Sequence, residues 1–123
     1  MSNMNRAEAI NLYAGIAPFK NGEMSRETLY KLIMSRIKMK EVNTEFEEVK
    51  NEFMEQTKPK GIKEGDSTEE WNNAYQPLIL KWLNEEVDIP PVFTIDEALD
   101  YIEENKVHGV LQDEIISKMT IQA

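Results

Sequence analysis

The residues best suited to chemistry in this sequence are its single histidine and the carboxylates near it. His108 stands beside Gly109, and four acidic residues lie close by in the sequence: Glu103, Glu104, Asp113 and Glu114. Imidazole and carboxylate groups can bind a metal ion or act as a general base. A metal site needs ligands that converge, however, and the chain has no second histidine and no cysteine. A solvated histidine in a turn is therefore the favoured interpretation.

The other polar residues lack the partners that catalysis requires. Four serines have neither a nucleophile elbow nor an evident base: Ser25, Ser35, Ser67 and Ser117. The sequence contains no glycine-rich phosphate loop of the Walker or Rossmann form. Five acidic residues could gather carboxylates on one helix face for magnesium or calcium: Asp96, Glu97, Asp100, Glu103 and Glu104. Their spacing matches no EF-hand loop. We predict that the protein is not an enzyme and has no cofactor and no metal site.

The composition narrows the possible partners. The chain has 123 residues, with 23 acidic and 14 basic side chains and a net charge of −9. Affinity for nucleic acid comes mostly from Lys and Arg, so this charge argues against direct binding to DNA, RNA or anionic membranes and favours basic protein surfaces. No apolar run approaches the roughly 20 residues of a membrane span. We expect a soluble, cytoplasmic protein with a protein partner and no evident small-molecule substrate.

The length suits one domain, 1–123, and residues 1–57 are predicted to form two helices. The first spans about 6–19, where apolar residues recur at three- and four-residue spacing, and it ends near Pro18. The second starts after Ser25, an acceptable N-cap, and continues to about Gln56. This long helix carries a heptad pattern, which we call the seam: Leu32, Ser35, Met39, Val42, Phe46, Val49 and Phe53.

The seam predicts a partner helix, because a repeat of 3.5 residues is typical of a coiled coil. Whether the partner belongs to the same chain or to another is left open by the sequence. As hypothetical partner-binding residues we take the apolar members of the seam: Leu32, Met39, Val42, Phe46, Val49 and Phe53.

Charges along the long helix separate by sign. The basic residues of its first half are Arg26, Lys31, Arg36, Lys38 and Lys40, and the acidic residues of its second half are Glu41, Glu45, Glu47, Glu48, Glu52 and Glu55. A solvated face is the simpler interpretation. The alternative is an antiparallel homodimer in which the basic half of each helix faces the acidic half of the other.

A return helix is predicted to follow the linker 58–67, which begins with "KPKGIKEG". Ser67 and Glu70 have the spacing of a capping box, and the helix is expected over 68–84, kinked or split at Pro77. The predicted fold is therefore mainly α: a long antiparallel helical hairpin preceded by a short N-terminal helix. Both tryptophans, Trp71 and Trp82, are expected in or beside the core.

The acidic C-terminal subdomain, 85–123, is predicted to be an extended segment followed by small helices. Short β-branched stretches at 87–89 and 92–95 flank a double proline, and whether they pair as strands is left open. Thr94 and Glu97 have capping-box spacing, which indicates a helix over about 95–105 with Leu99 among its inward residues. A last short helix is expected over about 112–119.

This subdomain carries most of the net charge, with a local balance of −8 between Glu85 and Lys118. A solvated acidic face is again the simpler interpretation. The alternative is a docking surface for a basic partner, with four acidic residues as hypothetical contacts: Asp96, Asp100, Glu103 and Glu104.

The order of these features resembles that of small proteins of tailed bacteriophages and prophages that have a long helical hairpin. The resemblance is carried by "NRAEAINLYAGI" and "EEWNNAYQPLILKWLNEEVDI" and covers most of the chain. It implies the cytosol of a host bacterium but no catalytic residues. We therefore expect a non-enzymatic accessory protein of this type, with a structural or assembly role exerted by protein–protein contact. The alternative function is an acidic inhibitor that mimics nucleic acid and occupies a nucleic-acid-binding protein.

Overall fold

A computed structural model describes residues 2–61 and 68–121. In this part of the chain it is mainly helical, with a small two-stranded sheet. The elements in chain order are β1 (Ser2–Asn5), α1 (Arg6–Ile16), α2 (Arg26–Thr57), α3 (Glu69–Asn84), β2 (Glu86–Ile89), α4 (Ile95–Glu104) and α5 (Val110–Lys118). The mainly α class and the long second helix are confirmed. Most of the predicted linker and the predicted cap Ser67 lie outside the described residues.

The first helix is fixed at its start by a capping box that the sequence analysis missed. The Glu8 backbone N–H donates to Asn5 Oδ1 at 2.8 Å, and the Asn5 N–H donates to Glu8 Oε1 at 3.1 Å. The helix ends at Ile16 instead of the predicted Phe19. Pro18 explains the earlier end, because proline has no N–H to donate to the helix and its ring clashes with the preceding turn. Ala17, the residue before it, keeps helical backbone, and its N–H still donates to the Tyr13 carbonyl.

The long helix begins where its sequence predicts. Ser25 is the N-cap, and its hydroxyl accepts from the Thr28 backbone N–H at 3.2 Å. The helix continues for 32 residues to Thr57, shortly before Pro59. At about 1.5 Å per residue it is about 48 Å long.

The third helix runs unbroken through Pro77, so the expected split is not found. Pro77 and Asn73 are both exposed, and water can therefore satisfy the carbonyl that loses its helical partner. Two contacts join this helix to α2: Trp71 Nε1 donates to the Met54 carbonyl at 2.8 Å, and the rings of Phe46 and Trp82 lie 6.0 Å apart.

The two strands join distant parts of the chain. β1 pairs antiparallel with β2, with Met4 opposite Val87. The stretch predicted at 92–95 does not join this sheet. Instead the N–H groups of Val92 and Phe93 both donate to the Met119 carbonyl, at 2.8 and 2.9 Å. The two prolines between the segments lack N–H groups and cannot extend the ladder.

The hydrophobic core takes buried residues from every described element except α3, whose half-buried Trp82 packs against it. Its residues with essentially no exposed surface include Met4, Ala9, Leu12, Ile16, Leu32, Met39, Val92, Phe93, Ala98 and Ile115. Leu99 was predicted to face inward and is 49% exposed, whereas Tyr101 is 3% exposed. The inward face of α4 is thus Ala98, Tyr101 and Ile102, positions three and four residues apart.

Glu97 ties the first turn of α4 to the first turn of α2. Its carboxylate accepts from the Thr28 hydroxyl at 2.7 Å, the Thr94 hydroxyl at 3.0 Å and the Ser25 backbone N–H at 3.3 Å. The Thr28 hydrogen bond is the main cause that lowers the pKa of Glu97 below its ordinary value. A carboxylate at a helix start is also favoured by the helix dipole.

Replacing Glu97 with glutamine is expected to lower the free energy of unfolding at pH 7 by about 1 kcal/mol, because amide groups accept more weakly than carboxylates. Because the pKa of Glu97 is lower in the folded state than in the unfolded state, its ionised carboxylate stabilises the fold at pH values above the unfolded-state pKa, near 4.5. This stabilisation is lost as the pH falls through the folded-state pKa. Urea unfolding of both proteins between pH 7 and pH 3 should show curves that converge in acid. Glu103→Gln, an exposed change on the same helix, is the control and should change the free energy of unfolding at pH 7 by no more than about 0.5 kcal/mol.

Candidate interaction surfaces

The four acidic residues of α4 that were predicted as partner contacts are all exposed, and three of them lie around one depression. Asp100, Glu103 and Glu104 line a shallow surface depression of about 610 Å³ together with Glu23. We call this surface the acidic depression. Asp96 is exposed but is not part of its lining. None of the ion pairs between described residues includes any of these side chains.

Glu23 was not identified by the sequence analysis, because it lies in the loop between α1 and α2. This loop is held against the end of α4 by two hydrogen bonds: the Lys20 N–H donates to Asn105 Oδ1 at 2.9 Å, and Asn105 Nδ2 donates to the Lys20 carbonyl at 3.0 Å. Gly22 has a φ of +71°, a backbone conformation that side chains with a Cβ rarely adopt. This conformation favours glycine in the loop that brings Glu23 close to α4.

The seam is covered by different parts of the chain along its length. Leu32 and Met39 are 0% exposed and Val42 is 7% exposed, and all three belong to the core cluster that also contains residues of α1. The more C-terminal members, Phe46, Val49 and Phe53, are half-buried.

The different lengths of α2 and α3 explain why the N-terminal and C-terminal parts of the seam are covered differently. A helix of 16 residues, the length of α3, covers about 24 Å, roughly half of α2. Binding of a partner by the seam stays a prediction. Leu32 and Met39 could contact a partner only if the core opened, because they have no exposed surface.

A second apolar stripe lies on another side of α2. Tyr30, Ile33 and Ile37 are 64%, 44% and 46% exposed. Their spacing of three and four residues places them on one face, and at 100° per residue that face lies nearly opposite Leu32, Met39 and the rest of the seam. We call these three residues the outer stripe. The outer stripe was not predicted from the sequence because the stronger heptad pattern accounted for the helix, although the same spacing rule finds it.

A small cavity adjoins the outer stripe between α1 and α2. It has a volume of about 170 Å³, and its lining residues are Tyr13, Ile16, Ala17, Arg36, Ile37 and Lys40. We call it the Arg36 cavity. The sequence analysis counted Arg36 and Lys40 only as members of a charge run.

Arg36 is unusual because two nitrogens of its guanidinium group are buried, and the group lies close to the Tyr101 hydroxyl. Its Nε and Nη2 atoms are buried, and neither makes a hydrogen bond of full strength. The Tyr101 hydroxyl is also buried, without a hydrogen bond of full strength. Burial raises the pKa of this hydroxyl, and the positive charge of Arg36 and a weak hydrogen bond from its side chain partly offset the rise. Buried polar groups without partners each cost about 1–3 kcal/mol, so they call for a physical explanation.

His108 is exposed, and its Nδ1 atom lies 3.2 Å from the Lys106 carbonyl. Within residues 2–61 and 68–121, no group of three or more His, Asp or Glu side chains is arranged to hold a metal ion. None of the helices described there is long and apolar enough to cross a membrane.

Comparison of the chain with protein-family models, with curated proteins and with solved structures found no significant match.

Proposed function

We propose that this chain is a non-enzymatic accessory protein that acts by protein–protein contact through the outer stripe, and that its partner there is a second copy of the chain. The observation that carries the proposal is the exposure of Tyr30, Ile33 and Ile37 on a helix that already buries its opposite face. Large apolar side chains grouped on one helix face are typical of contact surfaces. In this proposal the hairpin of α2 and α3 is the scaffold that presents the stripe.

The charges on the same face favour a second copy in antiparallel orientation. Ile37 lies midway along the sequence between Arg26 and Glu48, and all three residues are on one face, because their separations are close to whole helical turns. Both charged residues are exposed. A two-fold axis at Ile37 would therefore bring each Arg26 to the Glu48 of the other copy.

The same two-fold axis also gives the other residues of this helix face compatible partners in the second copy. Tyr30 of one copy would face Thr44 of the other, and Ile33 would contact the alkyl part of the Glu41 side chain of the other. Both pairs follow because each is also centred on Ile37 in the sequence. Closed two-fold dimers are self-complementary in this way, so one helix face supplies both halves of the contact. Two Arg26–Glu48 pairs would also reduce the repulsion between copies that each carry −9.

The biological setting is proposed from the sequence resemblance described above: a phage or prophage protein in the cytosol of a bacterium, with a structural or assembly role. A helical contact protein without chemistry of its own fits such a role.

Light scattering coupled to size exclusion tests the proposed contact. We expect a mass near twice the 14.3 kDa of the chain at high protein concentration, with a dimer that weakens as salt rises, since salt screens exposed charge pairs. A monomer at every concentration and salt would overturn the proposal.

The acidic depression supports a second candidate function, an acidic mimic of nucleic acid. The gathering of Glu23, Asp100, Glu103 and Glu104 around one depression favours it, because a basic site for phosphates would be attracted to such a cluster. We rank this function below the outer-stripe contact because carboxylates on an exposed helix often have no role beyond contact with solvent.

Charge reversal to lysine at Asp96, Asp100, Glu103 and Glu104 is the matching experiment. If the protein is a mimic, it should displace labelled DNA from a basic DNA-binding protein, and the reversal should weaken displacement at least about tenfold. Reversal of Glu47 and Glu52, exposed on α2, serves as the control. Equal displacement by wild type and both variants, or none at all, would exclude the mimic, whereas the outer-stripe contact would be unaffected.

A further inference from the structure

The exposed side of α4 carries an apolar row next to an acidic row. Ile95 and Leu99 are 51% and 49% exposed, and their spacing of four residues places them in one row along the helix. Asp96 and Asp100 form the adjacent row, and both are exposed. Glu103 lies one turn beyond Leu99 and is exposed as well. We call these five residues the α4 surface.

The rest of the fold holds the α4 surface in position. The opposite side of the helix is buried in the core, and the Glu97 carboxylate accepts from the Thr28 hydroxyl of α2 at 2.7 Å. A third exposed apolar residue, Ile121, lies beside the segment that leads into α4. It is 39% exposed, and its N–H donates to the Phe93 carbonyl at 2.7 Å. A partner could therefore contact the apolar row without opening the core.

Charge determines which partner suits the α4 surface. Helix α4 has five acidic side chains and no basic one, and no ion pair between described residues includes Asp96, Asp100 or Glu103. A second copy of the chain in a two-fold contact would bring the same carboxylates against them, and an anionic membrane surface would be repelled for the same reason. A basic partner is attracted, and its charges would offset the mutual repulsion of the carboxylates.

We propose that the α4 surface binds a basic amphipathic helix of another protein. Such a helix repeats its apolar side chains every three or four residues, which matches the spacing of Ile95 and Leu99. Lysine or arginine side chains beside the apolar row can lay their alkyl stems over Leu99 and reach Asp96 and Asp100 with their charged groups. An extended peptide is disfavoured, because a helix offers no strand edge with which it could pair.

The inference does not rest on the outer-stripe contact. It also differs from the nucleic-acid mimic, although Asp100 and Glu103 also line the acidic depression. A mimic needs only the carboxylates, whereas the proposed contact needs Ile95 and Leu99 as well.

Fluorescence anisotropy with a labelled peptide tests the α4 surface. The probe is a peptide of about 14 residues made of lysine, leucine and alanine, with its leucines at helical spacing. We expect a Kd on the order of 100 μM at low salt. A peptide of the same composition in scrambled order keeps the charge and loses the apolar face, so it should bind at least about tenfold more weakly. Equal binding of both peptides would overturn the proposal, and so would no binding of the first at about 1 mM protein, roughly 10 times the expected Kd.

One pair of variants examines the apolar row. Leu99→Asn should weaken binding of the patterned peptide about tenfold, because apolar contact is lost. Leu80→Asn is the matched control, since it makes the same change at an exposed leucine of α3, and it should leave the Kd within about twofold. If the two variants bind the peptide equally well, Leu99 is not part of the contact and the proposal fails.

A second pair examines the acidic row. Asp96→Asn combined with Asp100→Asn should weaken peptide binding about tenfold. Glu47→Gln combined with Glu52→Gln removes the same net charge from exposed positions of α2 and should weaken binding by less than about threefold. Equal weakening by the two double variants would indicate general attraction between opposite charges and would overturn the proposal. The outer-stripe contact is tested by the mass of the protein without peptide, so the failure of one proposal is distinguishable from that of the other.

Discussion

Ile37→Asp is expected to convert the proposed dimer into a monomer. Ile37 is 46% exposed and lies on the proposed two-fold axis, so one substitution places two carboxylates opposite each other and removes apolar contact from both copies. Facing like charges cost several kcal/mol, and about 3 kcal/mol already weakens a Kd more than 100-fold. Light scattering over a range of concentrations measures the change, and circular dichroism should show unchanged helix content.

Leu80→Asp is the matched control for this prediction. Leu80 is 57% exposed on α3, so the same chemical change is made at an equally exposed apolar residue away from the outer stripe. A dimer that both variants disrupt equally, or that Ile37→Asp leaves intact, would contradict the assigned surface.

A charge exchange examines the orientation of the two copies. Arg26→Glu alone and Glu48→Arg alone should each weaken the dimer, because each creates two like-charge pairs. The double variant should recover much of the affinity, since it restores two opposite-charge pairs in reversed order. A double variant that is no tighter than the single ones would rule out the antiparallel arrangement centred on Ile37.

Met39→Ala is expected to lower the free energy of unfolding by about 2–5 kcal/mol, the cost of truncating a large side chain in a packed core. Met39 is 0% exposed within the core cluster. Urea unfolding in an Ile37→Asp background, where the proposed dimer is removed, would measure the effect on the monomer alone.

Ile33→Ala is the control on the same helix. Ile33 is 44% exposed on the outer stripe, and its truncation should change the stability of the monomer by no more than about 0.5 kcal/mol. If Met39→Ala costs as little as Ile33→Ala, the N-terminal part of the seam is not a core of the monomer, and its prediction as a partner surface would gain support.

Local signals in the sequence were sufficient to place most helices. Ser25 and Thr94 cap α2 and α4 as predicted, because a cap depends on a side chain and a backbone N–H only two or three residues apart. The long helix was found for a similar reason, since its heptad pattern is a property of consecutive residues. Its predicted end, Gln56, is one residue from the observed Thr57.

Contacts between distant residues were not predictable in the same way. β1 has the sequence "SNMN", which shows no apolar alternation, and its pairing with β2 depends on the fold as a whole. Arg6 supports that pairing, since its guanidinium contacts the Glu85 carboxylate and donates to the Trp82 carbonyl at 3.0 Å. No feature near Arg6 in the sequence indicates either partner.

The candidate surfaces likewise combine features that local sequence predicts with features that depend on contacts between distant residues. Exposure of the four predicted contact residues of α4 follows from their positions on an amphipathic helix, but the approach of Glu23 depends on the loop that Asn105 holds. The Arg36 cavity forms only when α1 packs on α2. A charge run in the sequence cannot reveal which of its members is partly buried beside another helix.

The pairing of β1 with β2 also determines when the fold can be completed during synthesis. Asn5 pairs with Glu86 and Ser2 with Ile89, so the first strand has no partner until about 80 further residues have been translated. At about 5–20 residues per second, this delay is about 4–16 s. Throughout that time Met4, which is 1% exposed in the finished fold, lacks the strand that pairs beside it, and the open strand edge can pair with other chains. Nascent chains are therefore expected to be more prone to aggregation before Ile89 has been synthesised than after it, however stable the completed protein is.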